Sequence, residues 1–551
     1  VGMSNLGFQI VYHLLNEDDR IVCERVFLPD RNAAGLRSVE SSRPLTDFSI
    51  LFCSVSFEHD YINIAKLLLM AGIEPLAKNR DETISGHSPL IICGGVATFM
   101  NPEPLAEMVD LFVVGEAEPL LPPLIEVLCE DLQENGRNEL LFQLNAENKG
   151  YYSPRFYHPQ YDENELFSGY KVEPGLPENI RKVILETKDY AAHSELLTPE
   201  TEFSELYLKE LGRGCSRGCR FCAAGFIYRP ARLWNREAVI ESLNQRPEHI
   251  HRIGLLGMDM TSEKTLESIA GQISGQDCSL SFSSLRADRI TETILSLLSR
   301  SDLKSVAIAP DGGSERLRSV INKGLKEEDL LNAATKLADA GLFKLKLYLM
   351  VGLPTETDTD LQEFIDLVKK MVQVIGPIGR KRGRLTEIAV SVNCFAPKPW
   401  TPFQYHAFGV SEQLAENESV SAEHVVKELK RKIGLLRKGL ASIPNIRMSA
   451  DNPEHVLFQA ILSRGDRRIG PVLIDMAASG ISWKRAMRLH KLHASQFAIR
   501  QYSKRSNLPW TIIDHGINDS YMWKEYCKGI ESKETAACDT EKCRSCGVCN
   551  D

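Results

Sequence analysis

The chain has 551 residues, 43% hydrophobic and 25% charged, with a formal net charge of −9. That balance supports a sizeable buried core and excludes a disordered chain, a collagen-like fibre and a small disulfide scaffold. At roughly 150 residues per domain there is room for three or four domains, and no run of about 18 apolar residues marks a membrane span. The opening residues Val1-Gly2-Met3 lack both an initiator Met and the basic leader of a secretory signal. A longer natural amino terminus and a cytoplasmic location are expected.

In chain order, residues 48–56, 90–95 and 110–115 are short runs rich in β-formers, separated by helical patterns at 62–69 and 120–132. Strands alternating with helices predict a doubly wound parallel sheet over residues 1–145. Ligands of such sheets bind beyond the carboxyl ends of the strands, where Gly94-Gly95 and Gly115-Glu116 fall. Residues 146–203, rich in Tyr, Pro and Glu, exceed an ordinary loop and read as a connecting segment wrapped over a neighbouring domain. From 204 to 405 six strand candidates follow, at 205–211, 252–256, 280–285, 305–309, 344–350 and 387–394. Six strand–helix units predict a partial (β/α)6 barrel with its chemistry at the carboxyl ends of the strands. Helical patterns at 423–440, 453–462, 471–478 and 483–502 predict a helical domain over 406–525, before a Cys-rich tail at 526–551.

Charge is unevenly spread. Residues 421–510 hold 17 Lys/Arg against 6 Asp/Glu, a local +11 within an acidic chain. Such a segment, with Trp483, Phe497 and Tyr502 interleaved, suits RNA or another polyanion through phosphate contacts and stacking. A helical bundle with its aromatics turned into its own core explains the same residues.

Of fourteen cysteines, seven are clustered: Cys215, Cys219 and Cys222, then Cys538, Cys543, Cys546 and Cys549. Clustering without a leader points to metal ligation in a reducing compartment. Three thiolates within eight residues, loosened by Gly212, Gly214 and Gly218, suit an iron–sulfur cubane with one open iron, or a zinc site. The tail supplies four ligands in twelve residues, enough for structural zinc or a second cluster.

Cys215-x₃-Cys219-x-Phe221-Cys222 at the end of a first barrel strand resembles the radical S-adenosylmethionine (SAM) enzymes. The resemblance implies a [4Fe–4S] cluster on Cys215, Cys219 and Cys222, whose free iron chelates SAM. It also implies SAM contacts at Phe221, at Gly257 and Asp259 after the second strand, and at Ser283 and Arg286 after the third. Ser314 and Glu315 follow the fourth strand, where a helix N-cap by Ser314 is the alternative. Val351, Gly352 and Glu356 resemble the family's Gly-x-Pro-x-Glu turn, with Glu356 orienting it. Gly94, Gly95, Gly115 and Glu116 are similar to the cobalamin-binding domain of an uncharacterised bacterial subgroup, although the chain has no Asp-x-His-x-x-Gly sequence for an axial ligand.

The resemblance implies a radical SAM enzyme, with cobalamin-dependent methyl transfer to an unactivated carbon as the expected outcome. Oxidation, cyclisation or sulfur insertion without cobalamin is one alternative. A non-catalytic RNA- or ribosome-associated metalloprotein is another. The implied partner is an electron donor of the flavodoxin or ferredoxin type.

Overall fold

The apolar runs of the first region become β1 (Ile50–Ser54), β2 (Leu90–Gly94) and β3 (Leu111–Val113) in the computed structural model. It describes residues 2–549 except 30–34, 133–135, 148, 200, 202, 258–260, 274–277, 283, 302 and 412–419. β1 pairs with β2 and β2 with β3, all parallel, and β4 (Tyr151–Tyr152) adds an antiparallel edge. Leu90–Cys93 are covered on both faces, as a parallel strand between helical layers requires. The side chains of Leu90 and Ile92 join Leu111, Leu124, Leu140 and Tyr151 in one core.

Under this sheet lies a buried ion network. The Asp110 carboxylate meets Arg80 at 2.6 Å, Arg137 at 3.2 Å and Arg155 at 3.4 Å, and also accepts from the Ile91 amide. One carboxylate thus ties the start of β3 to β2 and to three flanking segments.

The chain divides into two compact units that do not follow the expected linear order. The first unit comprises Val1–Glu186, Phe458–Ala498 and Arg505–Gly516; the second comprises Thr187–Leu457, Ile499–Lys504 and Ile517–Asp551. The segment read as a connection is structured. Tyr157–Tyr161 pairs with Phe167–Val172 as a hairpin, and Ile180–Arg181 pairs with Ile513–Asp514, all within the first unit. The basic helical region is likewise divided between the units. Helix Ile469–Ser479 buries Ile469, Val472 and Leu473 and packs on helix Tyr61–Met70, so its apolar face belongs to the first unit. The single helix expected at 483–502 is instead Trp483–Leu489 and Ala494–Phe497, broken where Lys491 takes a left-handed φ of +56°.

In the second unit all six expected strands form: β5 (Leu206–Glu210), β6 (Arg252–Leu256), β7 (Ser279–Phe282), β8 (Ser305–Asp311), β9 (Lys344–Val351) and β10 (Glu387–Cys394). A seventh, β11 (Ile446–Ala450), lies in the region read as helical. β5, β6 and β7 are parallel neighbours, as are β8, β9, β10 and β11. A parallel bridge between Leu285 and Ile308 links the two runs, giving the chain-order arrangement of a partial barrel. Chain-order parallel pairing brings the carboxyl ends of all these strands to one side.

Lys209 of β5 is fully buried, with its ammonium donating to the Ala191 carbonyl. Burial pulls its pKa down to about 7. An unfolded lysine binds its proton below about 10.4, so between about 7 and 10 the unfolded chain holds more protons. Stability of this unit should therefore fall as pH drops from 10 to 7, by at most about 1.4 kcal/mol per pH unit. Urea titrations across that range should show this slope disappearing in Lys209→Met.

Candidate cofactor site

The loop after β5 is pinned at its base by Gly212–Arg213, which pairs antiparallel with Arg232–Leu233. A side chain at Gly212 would overlap the Arg232 carbonyl, and Gly214 takes a φ of +83° against the Tyr228 carbonyl. Between these strands the chain doubles back. The Cys222 amide donates to the Cys219 carbonyl at 3.0 Å, and the Arg217 amide reaches the Cys215 sulfur at 3.5 Å. The amides of Ala224 and Gly225, opening helix Ala224–Ile227, donate to the Cys222 sulfur. Phe221, between Arg220 and Cys222, is half-buried.

Burial pushes the Cys219 thiol up to about 11 and raises that of Cys222, while Lys323 pulls both the other way. Thiolates in such surroundings need a cationic partner to be ligands, and iron supplies it. Among the described residues, no three His, Cys, Asp or Glu side chains close to the spacing of a single metal ion. A cubane seats each thiolate on its own iron, so three thiols on one loop fit a [4Fe–4S] cluster with one iron left open.

What steadies this loop was not visible in the motif. Arg220, fully buried, donates to the Ser319 and Val320 carbonyls at 3.0 and 2.9 Å and pairs with Glu525 at 3.2 Å. The Asn322 amide donates to the carbonyls of Arg217 and Gly218 at 3.3 and 3.2 Å. Next to it, Lys323 pairs with Asp311 at 2.6 Å at the end of β8. Their only sequence signal is position: Asp311, Ser319, Asn322 and Lys323 all follow the fourth strand.

Several residues expected at SAM have other engagements. Asp259 and Ser283 lie outside the described residues. Gly257 takes a φ of +84° beneath the Gly212 carbonyl, so β6 contributes close backbone packing to the loop. Arg286 pairs with Asp288 at 2.8 Å and donates to the Lys323 and Gly324 carbonyls. It braces the same turn as Asn322. Ser314, buried, accepts from the Leu317 amide at 3.0 Å and donates to Asp360; it is the helix N-cap. Glu315 is half-exposed and accepts from the Glu327 amide at 3.1 Å. The turn after β9 is held from within. Glu356 accepts from the Gly352 amide at 2.9 Å and from Lys432 at 2.8 Å, and Val351 is buried beside them. Burial holds the Glu356 carboxyl above its usual range despite the Lys432 ammonium.

The strand-end glycines of the first unit do not form an open cradle. Gly95 takes a φ of +108° because the Val55 backbone passes over it, and Gly115 is covered by Val183. Gly94 accepts from the Val55 amide at 2.8 Å, and Glu116 accepts from the Leu185 amide at 2.8 Å. These four residues close the sheet with the chain's own backbone and do not fit a corrin.

In the basic segment, Trp483 stacks on Phe458 with centroids 5.4 Å apart, and Phe497 and Tyr502 are buried. Cations there are drawn into ion pairs: Arg467 with Glu103 at 3.1 Å, Arg431 with Asp358 at 2.6 Å. The aromatics therefore serve the core. No helix among the described residues is long and apolar enough to cross a membrane.

Replacing Arg220 by Met should cost about 3 kcal/mol, since it removes a buried ion pair and the guanidinium's bonds to three carbonyls. Urea unfolding of the metal-free chain measures the loss. Anaerobic reconstitution should show weakened iron retention at the loop.

Comparison with known proteins agrees with this geometry. Residues 210–368 match the family model of the radical SAM superfamily, and residues 7–154 match that of radical SAM proteins, N-terminal. A relative in Methanocaldococcus jannaschii, uncharacterized protein MJ0966, is 28% identical over 441 residues, covering 80% of this chain and 83% of its own length. The tRNA-2-methylthio-N(6)-dimethylallyladenosine synthase of Thermotoga petrophila is 24% identical over 28% of this chain and 38% of its own. Among solved structures, the radical SAM methyltransferase TsrM from Kitasatospora setae aligns with a TM-score of 0.45 at 13% identity, over 80% of this chain and 88% of that one. The two models together match more than half of the chain, which belongs to the radical SAM superfamily and is one of its enzymes, using a [4Fe–4S] cluster and SAM.

Proposed function

We propose that this enzyme cleaves SAM reductively to start radical chemistry on an organic substrate, with Cys215, Cys219 and Cys222 holding the cluster. The observation that carries the reading is the placement of three thiols on one braced loop at the carboxyl end of β5. When bound, the cluster supplies the electron that splits the sulfonium into methionine and a 5′-deoxyadenosyl radical, which takes a hydrogen atom from the substrate. The protein's part is positional. Arg220 and Asn322 fix the loop from the turn after β8. Glu356 and Lys432 fix the backbone of the turn after β9 that would lie along SAM. The buried Lys323–Asp311 pair sets a cation beside Cys219. A one-electron donor of the flavodoxin or ferredoxin class would serve as reductant.

The finer reading is methyl transfer to an unactivated carbon with cobalamin as methyl carrier. It draws on the parallel sheet of β1–β3. Gly95 and Gly115 are covered by the chain itself, so a corrin would have to seat away from these strand ends. Oxidation, cyclisation or sulfur insertion remains the competing outcome of the same radical.

Under dithionite, the reconstituted chain should release methionine and 5′-deoxyadenosine from SAM, measured by mass spectrometry. The triple variant Cys215→Ala, Cys219→Ala, Cys222→Ala should release neither; unchanged 5′-deoxyadenosine would refute the assignment. Hydroxocobalamin retained through gel filtration, seen in the visible spectrum, would favour methyl transfer, and its loss would favour the cobalamin-free outcomes.

A further inference from the structure

The segment around the four remaining clustered cysteines has almost nothing apolar to hold it together. Between Lys533 and Cys549 its only aliphatic side chains are Ala536, Ala537 and Val548, and both alanines are exposed. Hydrophobic burial therefore gives little reason for it to be compact. It is nevertheless folded and docked. The Cys538 amide donates to the Ser216 carbonyl of the first Cys loop at 2.7 Å, and the Thr535 amide donates to the Asn322 side chain at 2.8 Å. Arg220 donates to the Lys533 carbonyl at 2.7 Å, and the Asn518 amide to the Cys546 carbonyl at 2.9 Å. The Cys543 amide closes a turn on the Asp539 carbonyl at 2.7 Å.

This folding gathers the thiols. None is in a disulfide, and Cys546 is buried while the others are half-covered. Against them lies a buried cation, Arg229, 5% exposed, stacked over the rings of Phe226 at 4.5 Å and Tyr521 at 5.2 Å. Its guanidinium hydrogen-bonds the Cys546 sulfur. A cationic group aimed at buried sulfur suits a centre bearing negative charge, as four thiolates around iron do. The segment docks on the first Cys loop through Ser216 and Asn322, where a redox-active centre could exchange electrons with the first cluster and a zinc ion, which has no redox chemistry, could not.

We propose that Cys538, Cys543, Cys546 and Cys549 bind a second [4Fe–4S] cluster, fully ligated by protein, docked through Ser216 and Asn322 against the loop of the first. Metal binding then supplies the stabilisation that the segment's side chains lack. Such a cluster exchanges single electrons and offers no open iron to SAM.

The full chain, reconstituted anaerobically with iron and sulfide, should carry about eight irons, four per cluster. The Cys215→Ala, Cys219→Ala, Cys222→Ala variant should keep about four, with a reduced-state electron paramagnetic resonance signal that SAM leaves unchanged. Replacing the half-covered Cys543 and Cys549 by Ala should also leave about four irons, now with a signal that SAM shifts. Circular dichroism of the metal-free chains controls for folding. If the second variant misfolds, the first decides alone. An iron-free first variant, with or without one zinc per chain, overturns the proposal. Loss of SAM cleavage in the first variant while its iron is retained separates this centre from the catalytic one.

Discussion

A buried guanidinium holds the reactive part of this enzyme together. Arg220 sits between Cys219 and Phe221 with no exposed surface, and its donors reach the carbonyls of Ser319, Val320 and Lys533 and the carboxylate of Glu525. Its own amide donates to Ile321, and its carbonyl accepts from Phe403. One residue of the Cys loop thus fastens four other stretches of chain. A loop rich in glycine loses much conformational entropy on ordering, and charge-assisted bonds to backbone carbonyls offset that cost where apolar packing is scarce.

The same device recurs wherever a turn must keep its shape. Asn322 grips the Cys loop with its side-chain nitrogen and the second Cys segment with its side-chain oxygen. Glu356 and Lys432 form a buried pair behind the turn after β9, and Asp110 gathers three arginines under the first sheet. Buried pairs of this kind add little net stability over apolar packing but penalise any arrangement that separates the partners.

The second unit was largely legible in the sequence. β6 stands out as a short apolar run and β10 as a long alternation with Ile388, Val390, Val392 and Cys394 buried, and the bounds of both agree with the residues expected. β11 was missed because Ile446–Ala450 alternates polar and apolar residues and is only half-covered. The helix at 483–502 was overextended because its pattern carries on past Lys491, where the backbone turns left-handed. Around the site, the cysteines announced themselves by spacing. Ser314 is the N-cap of the helix it opens, the alternative that a Ser-Glu pair at a helix start carries.

By itself the sequence determined the strand–helix rhythm and the ligand spacing, since both are set by neighbours a few residues apart. Only the tertiary structure decided that residues 458–498 join the first unit, that Gly95 and Gly115 are filled by their own chain, and that Cys538 comes to rest on Ser216. Each of these depends on contacts between residues far apart in the chain. Local pattern carries no record of which distant backbone will pass over a glycine or which carbonyl will meet an arginine.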